Sequence, residues 1–180
     1  MCGQFHLTKE NAVWIRHRFP FRGRNYTTGN VYPGNRALLL MKDKEIFSCE
    51  KEWGFDLYGK RIINARSETA SEKKLFKDSL ARRRCLVVAD AFYEWDAAHQ
   101  KVTFYRPEER MYLGGAVSGD RFVILTQAPN DSVAPVHDRM PVVLREAQIQ
   151  DWFEDNYQEI IQSEKPGFEI DRPYHQQALF

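Results

Sequence analysis

Apolar residues recur along the chain in short runs, some alternating with polar residues and some nearly continuous, and this pattern predicts many short strands. The most apolar run, CLVVADAFYEW at 85–95, is typical of a buried central strand. The other runs that predict strands are RALLLM (36–41), EIFSCEKEWGF (45–55), KVTFYR (101–106), MYLGGAV (111–117), RFVILTQA (121–128) and PVVL (141–144).

Helical patterns are fewer. Thr8 fits the N-cap position of a first helix. Thr69, with Glu72 three residues later, fits a capping box for a helix that continues to about Arg82. Two further helices are predicted at EAQIQDWFED (146–155) and NYQEIIQ (156–162).

Many short strands with few helices predict one α+β domain over residues 1–180, built around a largely antiparallel, barrel-like sheet. A chain of 180 residues is near the usual size of one domain. The polar tail from about Glu164 is expected to be loosely held.

Charge and cysteine usage narrow the functional classes. The formal net charge is +1, so any nucleic-acid binding has to come from a local basic patch. Cys2, Cys49 and Cys85 form no CxxC pair, which predicts neither a disulfide framework nor a zinc site, and we expect no metal or cofactor. No signal-peptide or membrane-spanning run is found. A cytoplasmic monomer is expected, associated with the nucleoid if the source is bacterial.

A carboxylate stands between aromatic residues near the end of the most apolar run. Strand alternation places Phe92 and Glu94 on one face, with Tyr93 and Trp95 on the other. Loss of hydration raises a carboxylate pKa and suits it to acid–base chemistry near neutral pH. The alternative is a strand-end glutamate in a salt bridge.

Two further segments carry candidate chemistry. His137 lies in a proline-bracketed loop and is placed to exchange protons, or else is a structural histidine bonded to Asp138. Asn64 and Arg66, in IINARSET (62–69), share a face if the strand extends this far. An amide can hold an oxygen and a guanidinium can bind a phosphate, whereas the alternative is a simple turn.

Cys2 has distinctive chemistry if Met1 is removed, because the cysteine then carries a free α-amine beside its thiol. The order of motifs along the chain supports such a role. The segments MCG, WGF, INARSET, RRCLVVADAFYEW and LTQAPNDSVAPVHDRMPVVL together resemble the SRAP family of SOS-response-associated peptidase-like proteins, from Cys2 to about Leu144.

The resemblance implies barrel-like β-sheets with flanking helices, and a protein that senses abasic sites in single-stranded DNA and crosslinks to them. It implies that Cys2 is the nucleophile, joined by Asn64, Glu94 and His137, and that a thiazolidine forms from the Cys2 amine and thiol. Removal of Met1 by the protein's own peptidase activity is a further implication.

The resemblance also implies a set of DNA contacts. They are phosphate contacts by Arg66 and Arg139, a loop beside the DNA with Asn30 and Pro33, and aromatic contacts by Trp53 and Trp95, both of which could instead belong to the core. The chain departs from the family at Gln4, where arginine is usual, so a phosphate contact could be lost there.

Two other functions stay open at this stage. One is a cysteine peptidase that uses Cys2, Glu94 and His137. The other is a module that binds single-stranded DNA without a covalent step.

Overall fold

The computed structural model describes residues 2–154 and 156–172. The strands in these residues are β1 (Gln4–Leu7), β2 (Gly29–Val31), β3 (Arg36–Lys42), β4 (Ile46–Trp53), β5 (Phe55–Leu57), β6 (Lys60–Ile62), β7 (Asn64–Arg66), β8 (Arg84–Ala89), β9 (Ala91–Trp95), β10 (Lys101–Tyr105), β11 (Met111–Ser118), β12 (Arg121–Gln127), β13 (Met140–Pro141), β14 (Val143–Leu144) and β15 (Glu169–Asp171). The α-helices are α1 (Lys9–Arg18), α2 (Ser67–Ala70), α3 (Lys77–Arg82), α4 (Ile149–Trp152) and α5 (Tyr157–Gln162).

The larger sheet closes into a barrel. Its strand order runs β12, β4, β3, β8 and β11, and β11 pairs back onto β12. These pairs are antiparallel except the one between β12 and β4. The short strand β7 also joins β12 in parallel, so Asn64 lies opposite Ile124. The predicted α+β fold with a mainly antiparallel, barrel-like sheet is therefore confirmed.

A second, antiparallel sheet has the order β15, β10, β9, β1 and β2. Its inward side chains, including Phe5, Phe92 and Phe104, join a core that contains Trp53 and Phe122 from the barrel. The opposite side of the barrel buries a second core against the helices, with Ile15 and Trp152 among its members. Because the barrel strands are covered on both faces, their sequences read as nearly continuous apolar runs.

The most apolar run is not one strand. It breaks at Asp90 into β8 of the barrel and β9 of the second sheet. The Asp90 carboxylate accepts hydrogen bonds from the Thr8 backbone N–H and the Asn11 side-chain amide. The carboxylate thus fixes the start of α1 at the point where the chain leaves the barrel, while Thr8 caps α1 by accepting from the Asn11 backbone N–H at 3.2 Å, as predicted.

The predicted helix from Thr69 to about Arg82 forms only in its last part, and its predicted start at Thr69 is wrong. Thr69 lies inside α2, and α3 begins only at Lys77. The backbone N–H groups of Glu72 and Lys73 donate to the Thr69 carbonyl oxygen, so the main chain turns here without help from the Thr69 hydroxyl. The capping-box pattern therefore marks a turn between two short helices.

The C-terminal region differs from expectation in part. The two predicted helices form as the short α4 and α5, preceded by a 3-10 turn at Glu146–Gln148. Within the tail, Glu169–Asp171 pairs with Thr103–Tyr105 at the edge of the second sheet, and residues 173–180 lie outside the described residues. None of the helices described is long and apolar enough to cross a membrane.

Candidate functional site

Cys2 lies just before β1, with its side chain in the core between the two sheets. The thiol has no exposed surface, and its Sγ lies 3.6 Å from the Gln4 carbonyl oxygen. Burial raises the pKa of the Cys2 thiol well above its usual range, and the nearby negative charge of Glu94 raises it further. The sulfur is therefore held as the neutral thiol at neutral pH.

Glu94 points inward from β9, the strand that pairs with β1. Glu94 is only 1% exposed, and this burial raises the pKa of its carboxyl to about 7. A carboxyl with this pKa exists in both protonation states at neutral pH and can accept or donate a proton. Both Glu94 and Phe92, which strand alternation places on one face of β9, are buried.

His137 lies beside Glu94, in the loop between β12 and β13. Its Nε2 is 3.8 Å from Glu94 Oε2. The Nδ1 atom accepts from the Arg139 backbone N–H at 3.0 Å in the neutral ring, and it lies 2.9 Å from Asp138 Oδ1, to which it can donate when protonated. Burial lowers the pKa of His137, so the neutral ring is favoured. His137 therefore both contacts Asp138 and lies beside Glu94, so the structural and the proton-exchanging interpretations of this histidine are compatible.

Asn64 connects the barrel to the chain end. Its side-chain Nδ2 donates to the Cys2 carbonyl oxygen at 2.9 Å. Its Oδ1 is buried and, among the described residues, accepts no hydrogen bond. Cys2, Asn64, Glu94 and His137 come from four separate chain segments and meet at one site.

The two arginines that are predicted to bind phosphate differ in their exposure and in their partners within the protein. Arg66 is exposed and has no carboxylate partner in the part of the chain that the structure describes. Arg139 instead makes two hydrogen bonds of 2.8 Å to the Glu68 carboxylate, and a third of 2.7 Å to the Thr126 carbonyl oxygen. Its side chain is 12% exposed. The Nη1 and Nη2 atoms of Arg139 are therefore bonded within the protein, whereas its Nε is buried and has no partner among the described residues, and its phosphate contact stays a prediction.

The predicted aromatic contacts also divide. Trp53 has no exposed surface, packs between Phe5 and Phe122, and donates its indole N–H to the Ile63 carbonyl oxygen at 3.0 Å. This corrects the expected base contact by Trp53 in favour of a core role. Trp95 is 38% exposed and stands at the end of β9.

The loop that contains Asn30 and Pro33 lies beside β1, at the edge of the second sheet. Asn30 is exposed, and its Oδ1 accepts from the Tyr93 hydroxyl at 3.2 Å, while Pro33 is half-buried. Gln4 is buried and donates from its side-chain amide to the Tyr32 hydroxyl at 3.2 Å. Gln4 thus joins this loop to β1.

Sequence reasoning missed two partners of the site, Glu68 and Tyr32. Glu68 follows Arg66 in the same motif, but only the fold shows that it reaches Arg139. The remaining cysteines, Cys49 and Cys85, are buried thiols in the core. Within residues 2–154 and 156–172, no cluster of three histidine, cysteine or acidic side chains is placed to hold a metal ion.

Comparisons with known proteins are consistent with this arrangement. The chain is 29% identical to abasic site processing protein YoqW of Bacillus subtilis over 178 residues, covering 84% of this chain and 80% of that protein. It is 29% identical to abasic site processing protein YedK of Escherichia coli over 175 residues, covering 84% and 79%.

Solved structures support the fold. A protein from Bordetella bronchiseptica superposes with a TM-score of 0.80 at 19% identity, covering 97% of this chain and 100% of that one. A phage-related protein from the same organism gives 0.75 at 23% identity, covering 97% and 95%. The model of the family described as SOS response associated peptidase (SRAP) matches residues 1–177. The chain therefore belongs to the SRAP family.

Proposed function

We propose that this protein recognises abasic sites in single-stranded DNA and captures them covalently through Cys2 once Met1 has been removed. The observation that carries the proposal is the meeting of Cys2 with Asn64, Glu94 and His137 from separate parts of the fold. The names of the relatives, abasic site processing proteins, support the choice of substrate.

The proposed reaction uses both nucleophiles of an N-terminal cysteine. The Cys2 amine adds to the open-chain aldehyde of the abasic sugar, and the carbinolamine loses water to give an imine. The thiol sulfur then adds to the imine carbon while its proton passes to the nitrogen, which closes a thiazolidine ring. Because the thiolate is the stronger nucleophile, the thiol proton leaves as the sulfur attacks, and the imine nitrogen accepts it.

The neighbouring groups supply the proton transfers. Glu94, with a pKa of about 7, takes a proton from the attacking amine and returns it to the departing water. The protonated form of His137 gives its proton to the sugar ring oxygen while the anomeric hydroxyl releases one, which opens the sugar to the aldehyde. Asn64 holds the Cys2 carbonyl and so restricts where the amine can lie.

The proposed DNA surface lies around this site. Arg66 is the exposed cation for a phosphate, while Asn30, Pro33 and Trp95 border the path of the strand. A single strand presents the lesion without the cost of opening a duplex. One protomer carries all the proposed groups, so a monomer suffices.

Denaturing electrophoresis tests the proposal directly. Processed protein is mixed with an oligonucleotide that contains one abasic site, and we expect an adduct that survives denaturation. Cys2→Ala should give no adduct, because the new residue lacks the thiol that closes the ring and any imine hydrolyses. Borohydride should trap that imine as a stable amine. Cys49→Ala, which removes a buried thiol outside the site, is the matched control and should keep the adduct.

The same gel identifies the other functions. Equal retention of abasic DNA by wild type and Cys2→Ala, without any adduct from wild type, would contradict capture and indicate a non-covalent binding module. Turnover of unrelated peptides in place of an adduct would indicate a cysteine peptidase.

Removal of Met1 by the protein itself is a separate part of the proposal, supported by the peptidase designation of the family. A host aminopeptidase would act on the chain whatever stands at position 94. Intact-mass measurement should therefore find Met1 retained in Glu94→Gln and absent from wild type. Complete removal from both proteins would contradict self-processing and leave covalent capture unaffected.

A further inference from the structure

The ion pair between Glu68 and Arg139 joins two parts of the site. Glu68 lies in α2, which begins directly after β7, the strand that carries Asn64 and Arg66. Arg139 lies two residues after His137. Both oxygens of Glu68 accept from Arg139 at 2.8 Å, a two-point geometry that fixes orientation as well as distance.

Arg139 acts on His137 through its main chain. The Arg139 backbone N–H donates to His137 Nδ1 at 3.0 Å. When Nδ1 accepts this bond, the neutral ring carries its proton on Nε2, the nitrogen that faces Glu94 at 3.8 Å, whereas a proton on Nδ1 is donated to Asp138 Oδ1 at 2.9 Å. Holding the Arg139 side chain therefore also holds the group that orients the imidazole.

The other end of the loop has an anchor of its own. Asn130 Oδ1 accepts from the Val133 backbone N–H at 3.0 Å, and Asn130 Nδ2 donates to the Pro166 carbonyl oxygen at 2.6 Å. Near His137, the side chain of Arg139 attaches the loop to other parts of the fold. It donates to Glu68 and to the Thr126 carbonyl oxygen.

We infer that Glu68 is a positioning residue for the abasic-site reaction, because its two-point ion pair with Arg139 fixes the loop that carries His137 against the strand that carries Asn64. The inference rests on the proposed function. It gives the Arg139 side chain a role in the support of His137, while Arg66 is an exposed cation for phosphate on this side of the site.

The test separates rate from binding. Glu68→Gln keeps the size of the side chain and removes its charge, and we expect the crosslinking rate at saturating abasic DNA to fall by about tenfold to a hundredfold, since small displacements of reacting groups are costly. Binding of an oligonucleotide with tetrahydrofuran, which lacks the aldehyde, should weaken by less than about threefold, because a negative charge has been removed and not a cation.

A second readout reports on His137 itself. Among the described residues, Glu94 on β9 and Asp138 on the same loop are titratable groups that face it. A loosened loop admits water to the ring, so the pKa of His137, followed by NMR, should rise in Glu68→Gln toward its ordinary value. A role confined to general stability would leave this pKa unchanged in the folded variant.

Glu72→Gln is the matched control. Glu72 is an exposed glutamate in the same segment, without an ion pair in the part of the chain that the structure describes, and its variant should match wild type in rate and His137 pKa. The exchange of Glu68→Arg with Arg139→Glu should recover part of the rate. If Glu68→Gln fails to fold, Arg139→Lys, which keeps the charge and loses the two-point contact, carries the same expectations.

A folded Glu68→Gln with the wild-type rate and wild-type His137 pKa would overturn the inference. So would a normal rate at saturation with weaker tetrahydrofuran binding, because Glu68 would then act on DNA affinity. If processed wild type forms no adduct, the proposed function fails, whereas the shift in the His137 pKa still decides whether Glu68 positions that ring.

Discussion

At the scale of single residues, burial decides the chemistry of the site. Cys2 and Glu94 lie a strand apart in a region that excludes water, and each is held toward its neutral form. A neutral thiol and a carboxyl that titrates near neutral pH suit a reaction in which protons are relayed between amine, water and sulfur. In the proposed function the burial of Glu94 tunes its proton transfer, and the same burial has a cost in stability.

That cost gives a pH dependence. The unfolded chain loses the Glu94 proton near pH 4.3, about the ordinary value, and the folded chain loses it near pH 7. The folded state therefore binds more protons between these values, and its contribution to stability falls as the pH rises through that window. Glu94→Gln should be more stable than wild type at pH 8, by on the order of 1–3 kcal/mol, and close to wild type at pH 4.

Urea denaturation at the two pH values measures this difference. Glu159→Gln, at an exposed position on α5, is the control, and its stability should fall between pH 4 and pH 8 by as much as that of wild type. A Glu94→Gln variant with the same loss of stability as wild type between pH 4 and pH 8 would contradict the assignment.

Substitutions of Trp53 and of Trp95 should have opposite effects on stability and on DNA binding. Trp53→Ala empties a fully buried site and should destabilise the fold by about 3–5 kcal/mol. Trp95→Ala should change stability little and weaken binding of single-stranded DNA, by about 1–3 kcal/mol if it stacks on a base. Thermal melting and fluorescence anisotropy measure the two effects, and strong destabilisation by Trp95→Ala would contradict the distinction.

At the scale of elements, short strands and turns bring the site together. Asp90 ends β8 and binds the start of α1, which sends the chain from the barrel into the second sheet, where β9 carries Glu94 next to β1.

Removal of the Asp90 carboxylate should loosen that junction. Asp90→Ala leaves the Thr8 backbone N–H and the Asn11 amide without their acceptor, and we expect a loss of about 2–3 kcal/mol in the free energy of unfolding. Asp56→Ala removes an exposed carboxylate that accepts from the Gly59 backbone N–H in a turn, and should cost less than 1 kcal/mol, roughly. Equal effects of the two changes in urea denaturation would contradict the junction role.

The strand pattern was predictable because burial on both faces leaves a clear apolar signal, as in RALLLM and RFVILTQA. The break at Asp90 was not, because an acidic residue inside an apolar run gives no sign of which backbone groups it will bind. The same limit applies at Thr69, where a capping pattern and a turn share one local sequence. Local signals identify elements, whereas their ends depend on contacts from distant segments.

The site, too, was predictable only in part from the sequence. Cys2, Asn64, Glu94 and His137 were predicted from residue type and motif order, and the fold brings them together. The partnership of Glu68 with Arg139 joins positions 71 apart in sequence and left no local pattern.

At the scale of the whole molecule, a net charge of +1 limits how the protein can attract DNA. Many cations are paired with nearby carboxylates, as Arg36 is with Asp120 and Arg22 with Asp43. In the proposed function Arg66, which has no carboxylate partner among the described residues, binds one phosphate, and this contact should add only modestly to the salt dependence of the affinity.

Salt titration measures the number of such contacts. Arg66→Gln should weaken binding of tetrahydrofuran DNA and reduce the slope of log affinity against log salt by about 0.7, the value for one phosphate on a single strand. Arg22→Gln, which removes a cation already paired with Asp43 and Glu45, is the control and should leave the slope unchanged. An unchanged slope in Arg66→Gln would contradict a phosphate contact there.

The pairing of Gln4 with Tyr93 sets the distance between the start of the chain and the residues of β9. Cys2 stands two residues before this pair, and each residue of a strand spans about 3.4 Å. One residue inserted between Cys2 and Gln4 would either move the amine that far from Glu94 or shift the register and reverse every side chain of β1. The number of residues ahead of the first strand is therefore as much a part of the site as the identity of any side chain in it.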